Sequence, residues 1–290
     1  MLQIYDRSIR CRIFRAHGGR TRVTVIVIPS HAACAIRPAH AGRCAIAITA
    51  TRPAGLCRPD KSGISYRMNV FITGANRGIG LGLVRHYLAR GDEVWACYRY
   101  EMGELEALED VRLHRVMWDV REEAPRSSGV LPDRIDLLIN NAGIYGPGDG
   151  GQSLERVSPQ AMQEVFDVDC VGALRVTQYL LPRLVEAGGV IANVSSKMGS
   201  SADNGSGGSY AYRAAKAALV IVSKSMAIDL APRGVRVITL HPGWVRTAMT
   251  DHAGPVEVEQ SVRGLAGVIE RIGSYPAGAF VAFDGKQIPY

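Results

Sequence analysis

The chain has 290 residues, enough for one large α/β domain or two small ones. Apolar residues make up 47% and charged residues 21%, ordinary for a globular chain that buries a core. No stretch approaches the roughly 18 apolar residues that a bilayer span requires. The net charge of +7 would suit nucleic acid or a membrane surface, but its distribution speaks against both. Residues 1–67 hold eleven arginines and one lysine against Asp6 and Asp60, a surplus of ten, which leaves −3 for the remainder. The body is mildly acidic, and no nucleic-acid or membrane partner is expected.

Cysteine divides the same way. Cys11, Cys34, Cys44 and Cys57 lie in the basic segment, and only Cys97 and Cys170 lie in the body. No pair has the close CxxC spacing of a zinc or redox site. Two cysteines in so long a body fit a reducing compartment, and a cytoplasmic location is expected.

Residues 1–67 do not read as a domain. They lack Glu, are rich in Arg, Ala and Pro, and offer one strand-like run, Val23 to Ile28, ended by Pro29. Three readings fit: a transit peptide, a basic arm, or translation that begins at Met68. The third is favoured, because a strand and a complete glycine turn follow Met68 at once.

From Met68 the pattern alternates. Strands are predicted at Val70–Thr73, Glu93–Tyr98, Arg112–Val116, Ile135–Asn140, Gly189–Val194, Val235–Leu240 and Ala279–Phe283. Helices are predicted from Gly80 to Arg90, closed by Gly91, and from about Gln160 to Val185, Tyr210 to Leu230 and Val258 to Ile272. Strands separated by helix-length segments imply an α/β fold, a parallel sheet of about seven strands covered on both faces.

The first motif is Thr73-Gly74-Ala75-Asn76-Arg77-Gly78-Ile79-Gly80, which follows a strand and opens a helix. Glycines there permit a tight turn and let backbone N–H groups approach a pyrophosphate. The helix N-terminus adds oriented donors and partial positive charge. A glycine turn without a ligand is the bland alternative, and position at the first strand–helix junction weighs against it. With this TGxxxGxG spacing the chain resembles the short-chain dehydrogenase/reductase family. The resemblance implies a doubly wound Rossmann fold with a dinucleotide across the strand ends.

The second strand ends in Arg99 rather than an acid, and Arg77 sits inside the turn. An acid would bind a ribose 2′-hydroxyl, whereas arginines suit a 2′-phosphate. NADP(H) is therefore expected over NAD(H), against the plain alternative that Arg99 is a solvated cation. After the third strand the resemblance gives Asp119 and the Val120 backbone the adenine amino group; a helix N-cap is the structural alternative for Asp119. Asn140-Asn141-Ala142-Gly143 closes the fourth strand. The family's NNAG motif supports the sheet and lines the cofactor cleft, with Asn140 structural and the Ala142–Gly143 backbone close to a ribose.

Tyr212-Arg213-Ala214-Ala215-Lys216 places tyrosine and lysine four apart on one helix face. An ammonium beside a phenol lowers the phenol's pKa and suits Tyr212 to act as general acid or base. Alone, YxxxK reads as a surface pair; after the glycine turn, NNAG and the serine strand it gains weight. Lys216 would also hold the nicotinamide ribose. In Val194-Ser195-Ser196 the resemblance points to Ser196 as the substrate-oxygen donor, with Ser195 as the alternative. One departure stands out. The family's helix motif NxxG reads Asp169-Cys170-Val171-Gly172, and Asp169 is expected to pair with Lys216 and slow the proton relay. After the sixth strand, Pro242, Gly243, Val245 and Thr247 would line the nicotinamide or diphosphate, and His241 is expected to be structural. HPGWVRT, the long serine loop and the C-terminal Phe283–Tyr290 resemble the C-factor/sniffer-type carbonyl reductase branch. Residues 144–152, the serine loop and the stretch after Thr247 should meet the substrate, a small-molecule carbonyl or alcohol. The family habit implies a homodimer or homotetramer. The competing expectation is a cofactor-binding signalling protein with little turnover.

Overall fold

In a computed structural model, residues 67–126 and 131–290 are described, so the predicted strand at Val23 to Ile28 lies outside the described residues. Seven strands form one parallel sheet: β1 Asn69–Ile72, β2 Glu93–Tyr98, β3 Leu113–Met117, β4 Leu137–Asn140, β5 Val190–Val194, β6 Arg236–His241 and β7 Phe280–Ala282. Their order is β3-β2-β1-β4-β5-β6-β7, with parallel pairing at every step. The chain works outward from β1 to β3, then returns to β4 on the other side of β1. That reversal opens a crevice at the C-terminal ends of β1 and β4, where open α/β sheets bind ligands.

Alternation along β1 shows how the two faces are filled. Val70 and Ile72 point to one side, where helices α1 Gly78–Arg90 and α5 Val258–Glu270 bring Leu83, Val84, Leu265 and Ile269. Phe71 points to the other, against Val176, Leu180 and Leu184 of helix α3 Gly172–Ala187 and Met226 and Leu230 of helix α4 Tyr210–Leu230. Strands buried on both faces read as continuous apolar runs, and NVFI and LLIN do so.

Local signals set the helix ends. Gly91 adopts φ 91° and returns its N–H to Leu88, stopping α1 as expected. The predicted helix over about Gln160 to Val185 is one run of turns with a defect in it. Helix α2 Pro159–Phe166, capped by the Ser158 hydroxyl, leads into a π-helical segment Asp167–Val171 and then α3. The Gly172 N–H bonds to Asp167 O, five residues back. Such one-turn bulges inside α-helices often sit at functional sites. This bulge carries Val168, Asp169 and Cys170 into the interior against α4.

Candidate active site

The glycine turn is tied to the fourth strand by Thr73 and Asn141. The Thr73 hydroxyl accepts the N–H groups of Asn141 and Ala142 at 3.0 Å each. The Asn141 amide donates to the carbonyls of Thr73 and Gly74, both at 3.1 Å. A β-carbon at Gly80 would lie 2.1 Å from Gly74 O, so only glycine fits. Gly74 has φ +62°, and a β-carbon there would come 2.8 Å from the Ala142 Cα. Helix α1 opens at Arg77, which supplies no side-chain cap, and its first turn holds no acid. Those first-turn N–H groups are suited to an anion, which is how a dinucleotide pyrophosphate would fit. Thr247 stands over the turn, its Cγ2 3.4 Å from where a Gly78 β-carbon would be.

Arg77 and Arg99 are both exposed. Neither enters an ion pair among the described residues, and the Arg99 guanidinium lies 4.9 Å from the Tyr100 ring centre. The turn touches the second strand through Ala75 N–H to Cys97 O at 2.9 Å, which sets Arg77 and the β2 end at one mouth of the crevice. Asn76 joins the same mouth by donating to Glu101 O.

Asp119 is buried beneath this mouth, but it is not a helix N-cap. It opens a turn, accepting Glu122 N–H at its carbonyl and Arg121 N–H at its carboxylate. Arg121 also grips the carboxylate through Nε and Nη2, and Tyr100 adds a fourth donor at 3.1 Å. The Arg121 hydrogen bonds hold its pKa at about 2. An adenine amino group would share this carboxylate with Arg121, which a reading of the motif alone does not foresee.

Deeper in the crevice the chemistry-bearing side chains converge. Lys216 is buried on α4, with Nζ 3.2 Å from Val194 O and 5.6 Å from the Tyr212 ring centre. Asp169 reaches it from the π-helical segment, Oδ2 to Nζ 3.1 Å. Oδ1 accepts the Ile144 N–H at 2.7 Å. A β-carbon on Gly143 would come within 3.2 Å of both members of this pair. The two neighbouring serines separate. Ser195 donates to Lys216 O at 2.9 Å and faces the helix. The Ser196 hydroxyl accepts Met198 N–H instead, and it acts on Tyr212 by pulling the phenol's pKa down.

The electrostatics differ from the expectation for a tyrosine beside a lysine. Burial pushes the Tyr212 phenol above its usual value; Lys216 and Ser196 pull it down, while Asp169 and Tyr145 push it up. Burial depresses Lys216, and attraction to Asp169 and Tyr212 outweighs that, so its pKa is raised. Burial lifts Asp169, offset in part by Lys216 and the Ile144 N–H. The raised lysine is an ammonium at neutral pH, and it lies 3.1 Å from the Asp169 carboxyl. The net depression of the Tyr212 pKa expected from Lys216 is absent, because burial of the phenol outweighs it and the Asp169 carboxyl adds to the rise.

His241 accepts Lys197 N–H at Nδ1, and burial lowers its pKa to about 4, leaving a neutral structural imidazole. Pro242 accepts the Ser261 hydroxyl at 2.6 Å, and Gly243 turns with φ +91° against the Phe283 ring. Asn140 joins a buried network with Thr177 and Asn193, and Asn193 continues it to Ser223. Its structural role agrees with expectation; Asn193 carries no sequence signal.

Sequence reasoning places residues 144–152 near the substrate but misses what two of them do. Gln152 is buried, donates to Tyr145 O at 2.7 Å and accepts the Tyr212 N–H at 2.9 Å. It pins the start of the tyrosine helix to the loop after β4. The Tyr145 ring centre lies 5.0 Å from that of Tyr212, and its hydroxyl meets Ser209 at 2.7 Å. Opposite, Arg213 holds the serine loop through Met198 O, Ser206 and the carbonyls of Gly207 and Gly208.

The family model for short chain dehydrogenase matches residues 68–257. The chain belongs to the short-chain dehydrogenase family. C-signal of Myxococcus xanthus is 38% identical over 165 residues, covering 57% of this chain and 98% of that protein. Among solved structures, the carbonyl reductase Sniffer of D. melanogaster superposes with TM-score 0.72 at 30% identity, over 78% of this chain and all of that one. The NADPH-bound carbonyl reductase from chicken fatty liver gives TM-score 0.70 at 30% identity over the same shares. This short-chain dehydrogenase is thus an oxidoreductase by family, with carbonyl reductases among its structural neighbours. Among the described residues, no helix is long and apolar enough to cross a membrane.

Proposed function

We propose that the chain is an NADPH-dependent carbonyl reductase. The observation that carries this reading is the convergence of Ser196, Tyr212 and Lys216 on one crevice beside the Thr73–Gly80 turn. NADPH, when bound, supplies a hydride to the carbonyl carbon. Gly74, Asn76, Gly78, Ile79, Gly80 and Thr247 would hold the diphosphate region, and Arg77 and Arg99 the 2′-phosphate by charge-assisted bonds. Asp119 and Val120 would meet adenine; Asn141, Ala142, Gly143 and Lys216 the riboses; and Pro242, Gly243 and Val245 the nicotinamide side.

The Ser196 hydroxyl orients the substrate oxygen, and Tyr212 donates its phenolic proton to that oxygen as it becomes an alcohol. A phenol kept protonated by its surroundings is the right form for a general acid. Lys216 stabilises the phenolate left behind. A cytosolic location is supported by the free, buried Cys97 and Cys170. A homodimer or homotetramer is supported by Met162 and Phe166 of α2 and Ile221 and Ile228 of α4, all exposed on the single chain. Following NADPH oxidation with a panel of aldehydes, ketones and quinones tests the activity. Turnover with at least one carbonyl is expected; tight NADPH binding with no turnover on any of them would refute it.

A second reading, a cofactor-binding signalling protein with little turnover, is favoured by the likeness to C-signal and by Asp169 beside Lys216. If Asp169→Asn raises turnover strongly from near zero, that reading takes precedence.

A further inference from the structure

We propose that Asp169 is a positioning residue that holds Lys216 as its counter-ion and thereby keeps Tyr212 a phenol, biasing the site toward carbonyl reduction over alcohol oxidation. This rests on the reductase reading for its consequence, but not for its physical content.

The geometry is specific. The Asp169 side chain is fully buried; its Oδ1 accepts the Ile144 N–H at 2.7 Å, and its Oδ2 lies 3.1 Å from Lys216 Nζ as an ion pair. It comes from the π-helical segment, a local widening that puts residues 168–170 inside. Lys216 spends a further donor on Val194 O. Its ammonium lies closer to the Asp169 carboxyl, at 3.1 Å, than to the Tyr212 ring centre, at 5.6 Å.

Among the described residues, the titratable groups that act on this centre come from three segments. From α4 come Tyr212 and Lys216; from the loop after β4, Tyr145; from the π-helical segment, Asp169 and Cys170, whose thiol is pushed up to about 11 by burial. Lys216 is the one cation in the set, and Asp169 the one acid. A lone buried ammonium beside Tyr212 would favour phenolate. A carboxylate 3.1 Å from that ammonium offsets part of that field, in the same direction as the burial of the phenol. Stability alone is a weak reason to keep the pair, since buried ion pairs commonly do no better than apolar residues.

A carbonyl reductase needs the protonated phenol at the moment the alkoxide forms, whereas alcohol oxidation needs the phenolate to take a proton. A higher Tyr212 pKa extends the reducing form to more alkaline pH.

The test is the ultraviolet difference titration of tyrosinate in the full-length protein, with Tyr212→Phe as the reference that identifies the Tyr212 signal. Asp169→Asn is nearly isosteric and removes the charge; Asp169→Ser serves if the first variant does not fold. Removing one unit charge at this range should lower the Tyr212 midpoint by about one pH unit or more. The alkaline limb of NADPH-dependent reduction should move down with it, and alcohol oxidation at neutral pH should rise relative to reduction. A Tyr212 midpoint unchanged in both variants overturns the proposal, even if the wild type turns over briskly. A shifted midpoint in a protein with no turnover upholds the counter-ion role and refutes the reductase reading instead.

Discussion

At Tyr212 two opposite charges compete, and the outcome sets what a single substitution should do. Tyr212→Phe removes the proton donor and little volume. It should lower the reduction rate by about 10²–10⁴-fold while NADPH affinity, read by fluorescence titration, stays near that of the wild type. Gln152 makes a different case, because it acts through the backbone. Gln152→Leu leaves the Tyr212 N–H and the Tyr145 carbonyl without their partner. That should cost about 1–3 kcal/mol for each buried group not reached by water, visible as a lower midpoint in urea unfolding, with a fall in kcat from a loosened Tyr212. His241 gives a pH signature. Its folded pKa of about 4 lies below the ordinary histidine value of 6.5. Between those values the unfolded chain binds more protons than the folded one, so stability falls as pH drops from about 6.5 toward 4. His241→Asn should flatten that part of the stability–pH curve.

The elements themselves were largely legible in the sequence, because each carried a mechanism with a fixed period or residue. Glu93–Tyr98 and Tyr210–Leu230 fall where apolar pattern and breakers put them, and Gly91 ends α1 by its left-handed backbone. The π-helical widening at Asp167–Val171 was not legible, since it alters hydrogen-bond spacing without interrupting the apolar pattern. Gln152 was hidden for another reason: its partner Tyr212 lies 60 residues away, a separation no local pattern encodes. Asp119 shows a third limit, as its motif position says nothing of Arg121 two residues on taking up the carboxylate. The glycine turn offers a direct check at this scale. In Gly80→Ala a methyl group would overlap Gly74 O, so the turn must shift. NADPH affinity, measured by calorimetry, should fall at least about tenfold, or about 1.4 kcal/mol.

Across the whole molecule, topology does what no single motif does. The reversal between β1 and β4 brings the glycine turn, Ser196 and the α4 pair to one end of the sheet, although they are spread from residue 73 to residue 216. Order along the chain was therefore a stronger signal than any one motif. Arg77 and Arg99 at the crevice mouth make cofactor choice a property of this end as a whole. At equal concentrations NADPH should raise the melting temperature more than NADH, since tighter binding stabilises by mass action, and Arg99→Asp should reduce that difference.

The central claim is that this crevice passes hydride from NADPH to a carbonyl carbon while Tyr212 supplies the proton. Incubation with NADPH deuterated at the transferable nicotinamide position, followed by mass spectrometry of the alcohol product, tests it most directly. One deuterium on the former carbonyl carbon is predicted for the wild type, with the labelled alcohol strongly diminished in Tyr212→Phe. Unlabelled alcohol, or labelled alcohol formed equally well by Tyr212→Phe, would contradict it.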